Sequence, residues 1–245
     1  TPMGRNHFYD LYKYATLGDD PSYAGWHFTS YDNPLLDPEE INAAKKSMSS
    51  YAFRQEFMAS FEAMGSEMFK EDWVKFAEDK PKQAGDYFIA IDPAGFLEVG
   101  KKKTKKSSLD NTAIAVVFVN EDGWFIENMI YGRWTLEETA KKIFQAVKDY
   151  KPISVGIERG IAKQAVMSPL TDMMKRQSFF FRVEELTHGN QKKTDRIMWA
   201  LQGRFEHGLV TVKKADWNAQ FLDELFQFPD ALTHDDLIDA LAYID

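Results

Sequence analysis

The stretch FPDALTHDDLIDAL, residues 228–241, places three carboxylates within five residues of one another. Its apolar residues recur at helical spacing, so we expect an α-helix on which Asp236 and Asp239 share a face. Like charges this close repel each other. The helix macrodipole accounts for Asp235 and Asp236 near the first turn, but not for Asp239 deeper in the apolar helix. The cluster therefore predicts a cation-binding site.

Two earlier apolar runs each end in an acid. YFIAID closes on Asp92, and ISVGIE closes on Glu158. Each acid alone has an ordinary explanation, since Asp92 precedes a Pro-containing turn and Glu158 could pair with Arg159. Taken together with the late cluster, they fit a site for Mg²⁺ or Mn²⁺, hard cations that prefer carboxylate oxygens.

Two such ions can activate water and stabilise the leaving oxygen of a phosphodiester, so the acids indicate a metal-dependent nuclease. Asp110, just before the next predicted strand, could serve as an outer ligand. An Asx turn with Asn111 and Thr112 explains Asp110 equally well.

The composition restricts the class of protein. The chain has 245 residues, 44% of them hydrophobic, and a net charge of −8, which argues against a passive nucleic-acid coat but not against an enzyme that acts on DNA. It has no cysteine, so disulfides and thiolate zinc sites are ruled out. No apolar run approaches the roughly 18 residues of a membrane span. No ATP phosphate loop is found. We expect an intracellular, soluble protein without membrane partners.

Two basic clusters could contact phosphate. The first is a loop that contains Lys101, Lys102, Lys103, Lys105 and Lys106 without an intervening acid. The second contains Lys192, Lys193 and Arg196. Either cluster could be merely solvated surface, but their joint presence in an acidic protein favours a DNA groove.

The pattern of elements indicates an α/β fold, a mixed sheet flanked by helices. Residues 1–80 read as helix and loop, and residues 77–85 as a linker. Strands are expected at 86–92, 112–119, 124–131, 153–157, 179–183 and 209–212, the second and third forming a hairpin. Helices are expected at 136–150, 161–176, 194–201, 217–226 and 235–245.

Five motifs in order resemble the C-terminal part of the large terminase subunit of tailed bacteriophages. They are IDPA (91–94), SLDNTA (108–113), GIE (156–158), KTDR (193–196) and HDDLIDA (234–240), the last being the most specific. TPMGRNHFY (1–9) and FRQEF (53–57) resemble the end of that family's ATPase core and its following helix. The resemblance implies a fragment, with the C-terminal tail of the packaging ATPase domain and a linker at 1–80 and an RNase H-like nuclease domain at 81–245.

The resemblance also implies a function. The chain would be a two-metal-ion endonuclease that uses Mg²⁺ or Mn²⁺ to cut concatemeric double-stranded DNA when packaging begins and ends, leaving 5′-phosphate and 3′-hydroxyl ends. The family's metal ligands map onto Asp92, Glu158 and Asp236, with Asp235 and Asp239 left open. The implied partners are the portal protein, the small terminase subunit and other large-subunit copies, in the host cytoplasm and transiently at the procapsid portal. ATPase activity is expected only of the full-length protein.

Two alternatives remain at this point. One is a resolvase or transposase of the same fold, against which the N-terminal resemblance argues. The other is a non-catalytic module that grips DNA, with the acids serving only structure.

Overall fold

The computed structural model describes residues 7–17, 20–61, 68–93, 111–187, 192–229 and 234–245. These residues form a seven-stranded sheet in the order β1-β7-β4-β3-β2-β5-β6. The strands are β1 (Lys75–Ala77), β2 (Asp86–Asp92), β3 (Thr112–Asn120), β4 (Gly123–Gly132), β5 (Ser154–Glu158), β6 (Glu184–Leu186) and β7 (Val210–Lys213).

The sheet is mixed, because it contains an antiparallel meander with parallel strands on either side of it. Strands β2, β3 and β4 are antiparallel neighbours, whereas β5 lies parallel to β2, and β6 parallel to β5. On the far side of the meander, β7 lies parallel to β4, and β1 parallel to β7. The β3–β4 hairpin turns at Gly123, which has a φ of 132° and whose added Cβ would lie 2.2 Å from the carbonyl oxygen of Leu209. Only glycine suits that backbone.

The described helices are α1 (His7–Leu17), α2 (Pro38–Ser47), α3 (Ser50–Glu56), α4 (Leu136–Tyr150), α5 (Ile161–Gln177), α6 (Lys193–Ile197), α7 (Gly203–Glu206), α8 (Asn218–Gln227) and α9 (Asp236–Ala242). A π-helical turn, Met198–Gln202, joins α6 to α7. Helix α4 begins where the sequence favours it, because Thr135 and Glu138 form a capping box.

Both faces of the sheet are covered. Along β3, Ile114 and Val116 face a core made with α4 and α5, whereas Ala113, Ala115 and Val117 face a second core made with α6 to α9. Alternate side chains of a strand point to opposite faces, so a strand buried on both sides is apolar throughout. The small Ala113 and Ala115 let α9 pack close to the middle of the sheet.

The predicted mixed sheet flanked by helices is confirmed. The strand at 86–92 and the helix at 136–150 have the predicted bounds. The strand predicted at 179–183 is wrong, since the paired strand is Glu184–Leu186. Phe179 and Phe181 instead pack against Phe144 of α4, so these aromatic residues fill the helical layer and do not extend the sheet.

The segment before β2 contributes to the same core. Met68 and Phe69 are buried in the core with α6 to α9, and β1 pairs with β7 just before the predicted linker at 77–85. Farther back, the Ser50 hydroxyl donates a 2.5 Å hydrogen bond to Glu206. The proposed division at residues 80 and 81 stays a prediction, and these contacts join the two sides of it.

Candidate metal centre

The register of two parallel strands brings Asp92 and Glu158 together. Ile91 of β2 lies opposite Ile157 of β5, so the next residues on each strand are neighbours. Ile91 and Ile157 face the core with α4 and α5, and the alternation of side chains turns both acids toward α9. Adjacent strands are about 4.8 Å apart, which places the two carboxyls within reach of each other.

The Asp92 carboxyl is strongly perturbed. Burial raises its pKa well above the ordinary value of 3.8, and a hydrogen bond with the Glu158 carboxyl raises it further. The negative charges of Asp239 and Glu158 act in the same direction. Two carboxyls can share a hydrogen bond only if one of them carries a proton, so Asp92 and Glu158 are not both ionised in this arrangement.

Asp239 on α9 is the third acid near this pair. It is 3% exposed, and both of its carboxylate oxygens have cationic partners. The Lys193 Nζ lies 2.9 Å from Oδ2, and an Nη of Arg196 contacts Oδ1. Lys193 also lies 2.7 Å from Oδ1 of Asp235. Burial lowers the pKa of Lys193, but the charge of Asp239 and the bonds to both acids outweigh it and raise the pKa above 10.5.

Asp236, equally buried at 3% exposure, has a different set of described contacts. Its Oδ2 accepts a 2.8 Å hydrogen bond from the backbone N–H of Asn111 and a 3.3 Å bond from the Asn111 side chain. His234 Nδ1 lies 3.7 Å from the same oxygen. Asp236 therefore ties the start of α9 to the entry of β3, one strand away from Asp92.

Glu224 of α8 is a buried acid that the sequence analysis missed. It is fully buried, and its Oε2 accepts a 2.7 Å hydrogen bond from the backbone N–H of Leu237, so it caps α9 from a neighbouring helix. Burial raises its pKa to about 7, and the charge of Asp236 adds to the shift. Its position three residues after Phe221, on the apolar face of α8, was an available signal.

Tyr243 was also missed. Its hydroxyl donates a 2.6 Å hydrogen bond to Oε1 of Glu158 and accepts a 2.7 Å bond from Nη1 of Arg196. Burial and the bond to Glu158 raise its pKa above 10.0, so the phenol stays neutral. Tyr243 follows Asp239 by four residues, a spacing that places two side chains on one helix face.

The residues predicted to contact DNA phosphates differ in their exposure and in their partners. Lys192 and Lys193 are both exposed, but Lys193 is paired with Asp235 and with the buried Asp239. Arg196 is 9% exposed and bonded to Asp239 and Tyr243, so it is an internal partner of these groups in this arrangement and not a surface cation. The predicted ligand Asp110 and the lysines at 101–106 lie outside the described residues.

Two absences concern only the described part of the chain. Within it, no group of three or more His, Cys, Asp or Glu side chains is arranged to hold a metal ion. No helix there has the length and apolar character to cross a membrane.

The chain is similar to known large terminases. Over 69 residues it is 35% identical to the terminase large subunit of Escherichia phage T5, a match covering 28% of this chain and 16% of that protein. A crystal structure of the large terminase from a thermophilic bacteriophage has the same fold, with a TM-score of 0.63 at 12% identity over 99% of this chain. This chain spans 59% of that structure. The magnesium-bound nuclease of the thermophilic phage G20c scores 0.45 at 17% identity, covering 74% of this chain and 97% of that one, and adds nothing to the fold assignment.

A family model covers the larger part of the chain. The model described as the terminase RNaseH-like domain matches residues 89–244, a span that runs from β2 through α9 and contains Asp92, Glu158 and Asp239. The order of the meander and the two parallel strands beside it agrees with that match. The chain therefore belongs to the family of terminase RNaseH-like domains, and its sheet is the RNase H-like fold of a large terminase subunit.

Proposed function

We propose that this chain is the metal-dependent endonuclease module of a DNA-packaging terminase, cutting double-stranded concatemeric DNA at the start and end of packaging. The observation that carries the proposal is the parallel register of β2 and β5, which aligns Asp92 with Glu158 beneath the acids of α9. Family membership supports the substrate class, and it favours a terminase over a resolvase or transposase of the same fold.

The donor set suits Mg²⁺ or Mn²⁺. Asp92 and Glu158 offer hard carboxylate oxygens. Burial, the hydrogen bond to Glu158 and the charges of Asp239 and Glu158 raise the pKa of Asp92, and a bound dication would favour its ionised form. Asp239 lies beside the pair, and the family resemblance points to Asp236, so α9 offers two candidates for the third ligand. A pair of bound ions would supply an activated water and stabilise the leaving oxygen. We propose two ions, held by Asp92, Glu158 and at least one of these α9 acids.

The remaining residues would hold and orient the site. Lys193 neutralises Asp235 and Asp239 at its edge. Glu224 holds the first turn of α9 in place. Lys192, exposed at the start of α6, is suited to a DNA phosphate, as are the lysines at 101–106 in the expected basic loop.

The wider context is part of the same proposal. Residues 81–245 would be the nuclease domain, and residues 1–80 the tail of the packaging ATPase and a linker. The module would act with the portal, the small terminase subunit and further large-subunit copies, in the host cytoplasm and at the procapsid. ATP hydrolysis would belong to the full-length protein.

A non-catalytic DNA-gripping module is the second candidate. One observation favours it. Both oxygens of Asp239 are engaged by Lys193 and Arg196, and no three-residue metal site is formed within the described ranges. In this alternative the acids would only neutralise the cations around them.

Nicking of supercoiled plasmid separates the two candidates. The purified chain should nick plasmid in Mn²⁺ or Mg²⁺ and stop in EDTA, and Asp92→Asn prepared in parallel should be inactive, which controls for contaminating nuclease. The linear product should ligate without kinase treatment, because its ends carry 5′-phosphates. DNA binding without nicking in either metal would establish the gripping module and overturn the endonuclease.

A further inference from the structure

A continuous set of contacts joins Asp239 to Glu158. Arg196 donates to Oδ1 of Asp239 through Nη2 and to the Tyr243 hydroxyl through Nη1. Tyr243 in turn donates to Oε1 of Glu158 at 2.6 Å. The guanidinium carbon lies 4.2 Å from the centre of the Tyr243 ring, so the arginine is held both by its hydrogen bonds and against the ring.

The direction of these bonds is fixed by chemistry. Arginine can only donate, so the Tyr243 oxygen must accept from Arg196 and its single proton must go to Glu158. Oε1 of Glu158 is therefore an acceptor. This contact orients the carboxyl, which also shares a hydrogen bond with Asp92. A glutamate has three rotatable bonds, and a fixed partner removes the freedom that a metal would otherwise have to restrict.

Charge balance alone does not require Tyr243. The buried Arg196 already has its counter-charge in Asp239, and a neutral phenol adds none. The tyrosine hydroxyl instead fixes the orientation of the Glu158 carboxyl relative to Asp239, which charge pairing does not do.

We propose that Tyr243, held in place by Arg196, is the positioning residue that orients Glu158 for divalent metal binding. The inference rests on the proposed function and adds to it a residue outside the carboxylate set. Outer partners that hydrogen-bond to a ligating carboxylate change metal affinity or activity by about 10–100-fold when they are removed.

Tyr243→Phe removes the hydroxyl and keeps the ring beside Arg196. The matched control is Tyr87→Phe. The Tyr87 hydroxyl donates a 3.1 Å hydrogen bond to Glu127, which is also paired with a lysine, Lys213. Both substitutions thus delete a tyrosine–glutamate bond next to a cation, but only one of the glutamates belongs to the proposed site.

The first measurement is the Kd for Mn²⁺, read from the EPR signal of the free ion. The second is the free energy of unfolding in urea and EDTA. We expect Tyr243→Phe to raise the Kd by about tenfold or more and Tyr87→Phe to leave it unchanged. Both should lose stability, Tyr243→Phe more, because it also removes the hydroxyl that accepts from Arg196. Nicking by Tyr243→Phe should require correspondingly more Mn²⁺.

Arg196→Lys provides a second variant, since lysine keeps a charge for Asp239 but loses the fork that also reaches Tyr243. It should raise the Kd as well. If Tyr243→Phe and Arg196→Lys bind Mn²⁺ as tightly as the wild-type chain does, the positioning role is overturned and the proposed nuclease stands. If wild type binds no Mn²⁺ and does not nick, the proposed function and this inference are both overturned.

Discussion

Asp236 and Asp239 lie three residues apart on one short helix and are buried to the same extent, yet their surroundings differ in kind. The described partners of Asp239 are the cations Lys193 and Arg196, and it lies close enough to Asp92 to raise that residue's pKa. Asp236 accepts from the neutral N–H groups of Asn111.

The difference shows that burial and residue type alone do not identify which acid of a cluster is the better candidate for a metal ligand. Asp239 is in the electrostatic group of Asp92 and Glu158, which fits a ligand. The contacts of Asp236 fit an anchor between β3 and α9, although the resemblance of the HDD motif predicts a metal ligand at Asp236. The roles of Asp236 and Asp239 can be distinguished by substitution, and the properties of the surrounding site can be measured in the same way.

The largest effect is expected from Asp92→Asn. Asp92 interacts with both Glu158 and Asp239 and is proposed as a metal ligand, so its loss should reduce nicking by several orders of magnitude whichever α9 acid binds metal. The same change removes the carboxyl whose pKa is raised most among the described residues, so metal-free stability at pH 8 should not fall. Plasmid nicking and urea unfolding in EDTA measure the two effects. Wild-type nicking by this variant would remove Asp92 from the site.

The next effect distinguishes the two acids directly. Asp239→Asn leaves the buried Arg196 without its counter-charge, and we expect a loss of about 3–5 kcal/mol of stability. Asp236→Asn keeps an oxygen for Asn111 and should cost about 1 kcal/mol. If Asp239 is the ligand, only its variant should also lose Mn²⁺ affinity, measured at a temperature where both are folded. The opposite result would assign the metal to Asp236 and leave Asp239 as the partner of Arg196.

The pH dependence of stability is a smaller effect with a definite sign. The folded-state pKa values of Asp92 and Glu224 lie above their ordinary values, the latter at about 7. The folded chain therefore binds these protons more tightly than the unfolded chain, so their stabilisation is complete in acid and is lost as pH rises. Metal-free unfolding free energy should fall from pH 5 to 8.

Two substitutions check this origin. Glu224→Gln should reduce the fall up to about pH 7, whereas Asp92→Asn should reduce it throughout the range from pH 5 to 8, because the folded-state pKa of Asp92 is raised to about 9. Glu121→Gln, at an exposed glutamate in the β3–β4 turn, is the control and should keep the wild-type slope. A slope that none of the variants alters would place the titrating groups elsewhere.

The smallest effect concerns DNA contact near the two acids. Lys192→Ala should weaken binding in EDTA and reduce the slope of log K against log salt by about one, as for one lost phosphate contact. Lys148→Ala makes the same charge change on α4, which covers the other face of the sheet, and should leave the slope unchanged. Equal slopes for both variants would remove Lys192 from the DNA surface.

Local patterns predicted the fold better than the site. The strand at 86–92 and the helix at 136–150 follow from alternation, helical spacing and a capping box, all of which are read from neighbouring residues. The strand at 179–183 failed because aromatic residues suit a helix-covering layer as well as a strand.

The partners within the site depend on tertiary contacts. Tyr243 meets Glu158 across 85 positions of sequence, and Glu224 reaches the start of α9 from another helix. Spacing along one helix could have related Tyr243 to Asp239, but it could not have related Tyr243 to a strand.

The π-helical turn Met198–Gln202 sets the rotational phase between the two ends of the α6–α7 stretch. A π-turn holds one residue more than an α-helical turn, and one residue corresponds to about 100° of rotation. Because the π-turn accommodates this extra residue, the helical segments on its two sides keep the orientation they would have in an uninterrupted α-helix one residue shorter. If the same residues formed a regular α-helix with Phe205 fixed in the core, Arg196 would be rotated by about 100° and away from Asp239. The wider turn is thus an angular adjustment, and a chain that is regularly α-helical here could fold well while presenting its cations to the wrong side.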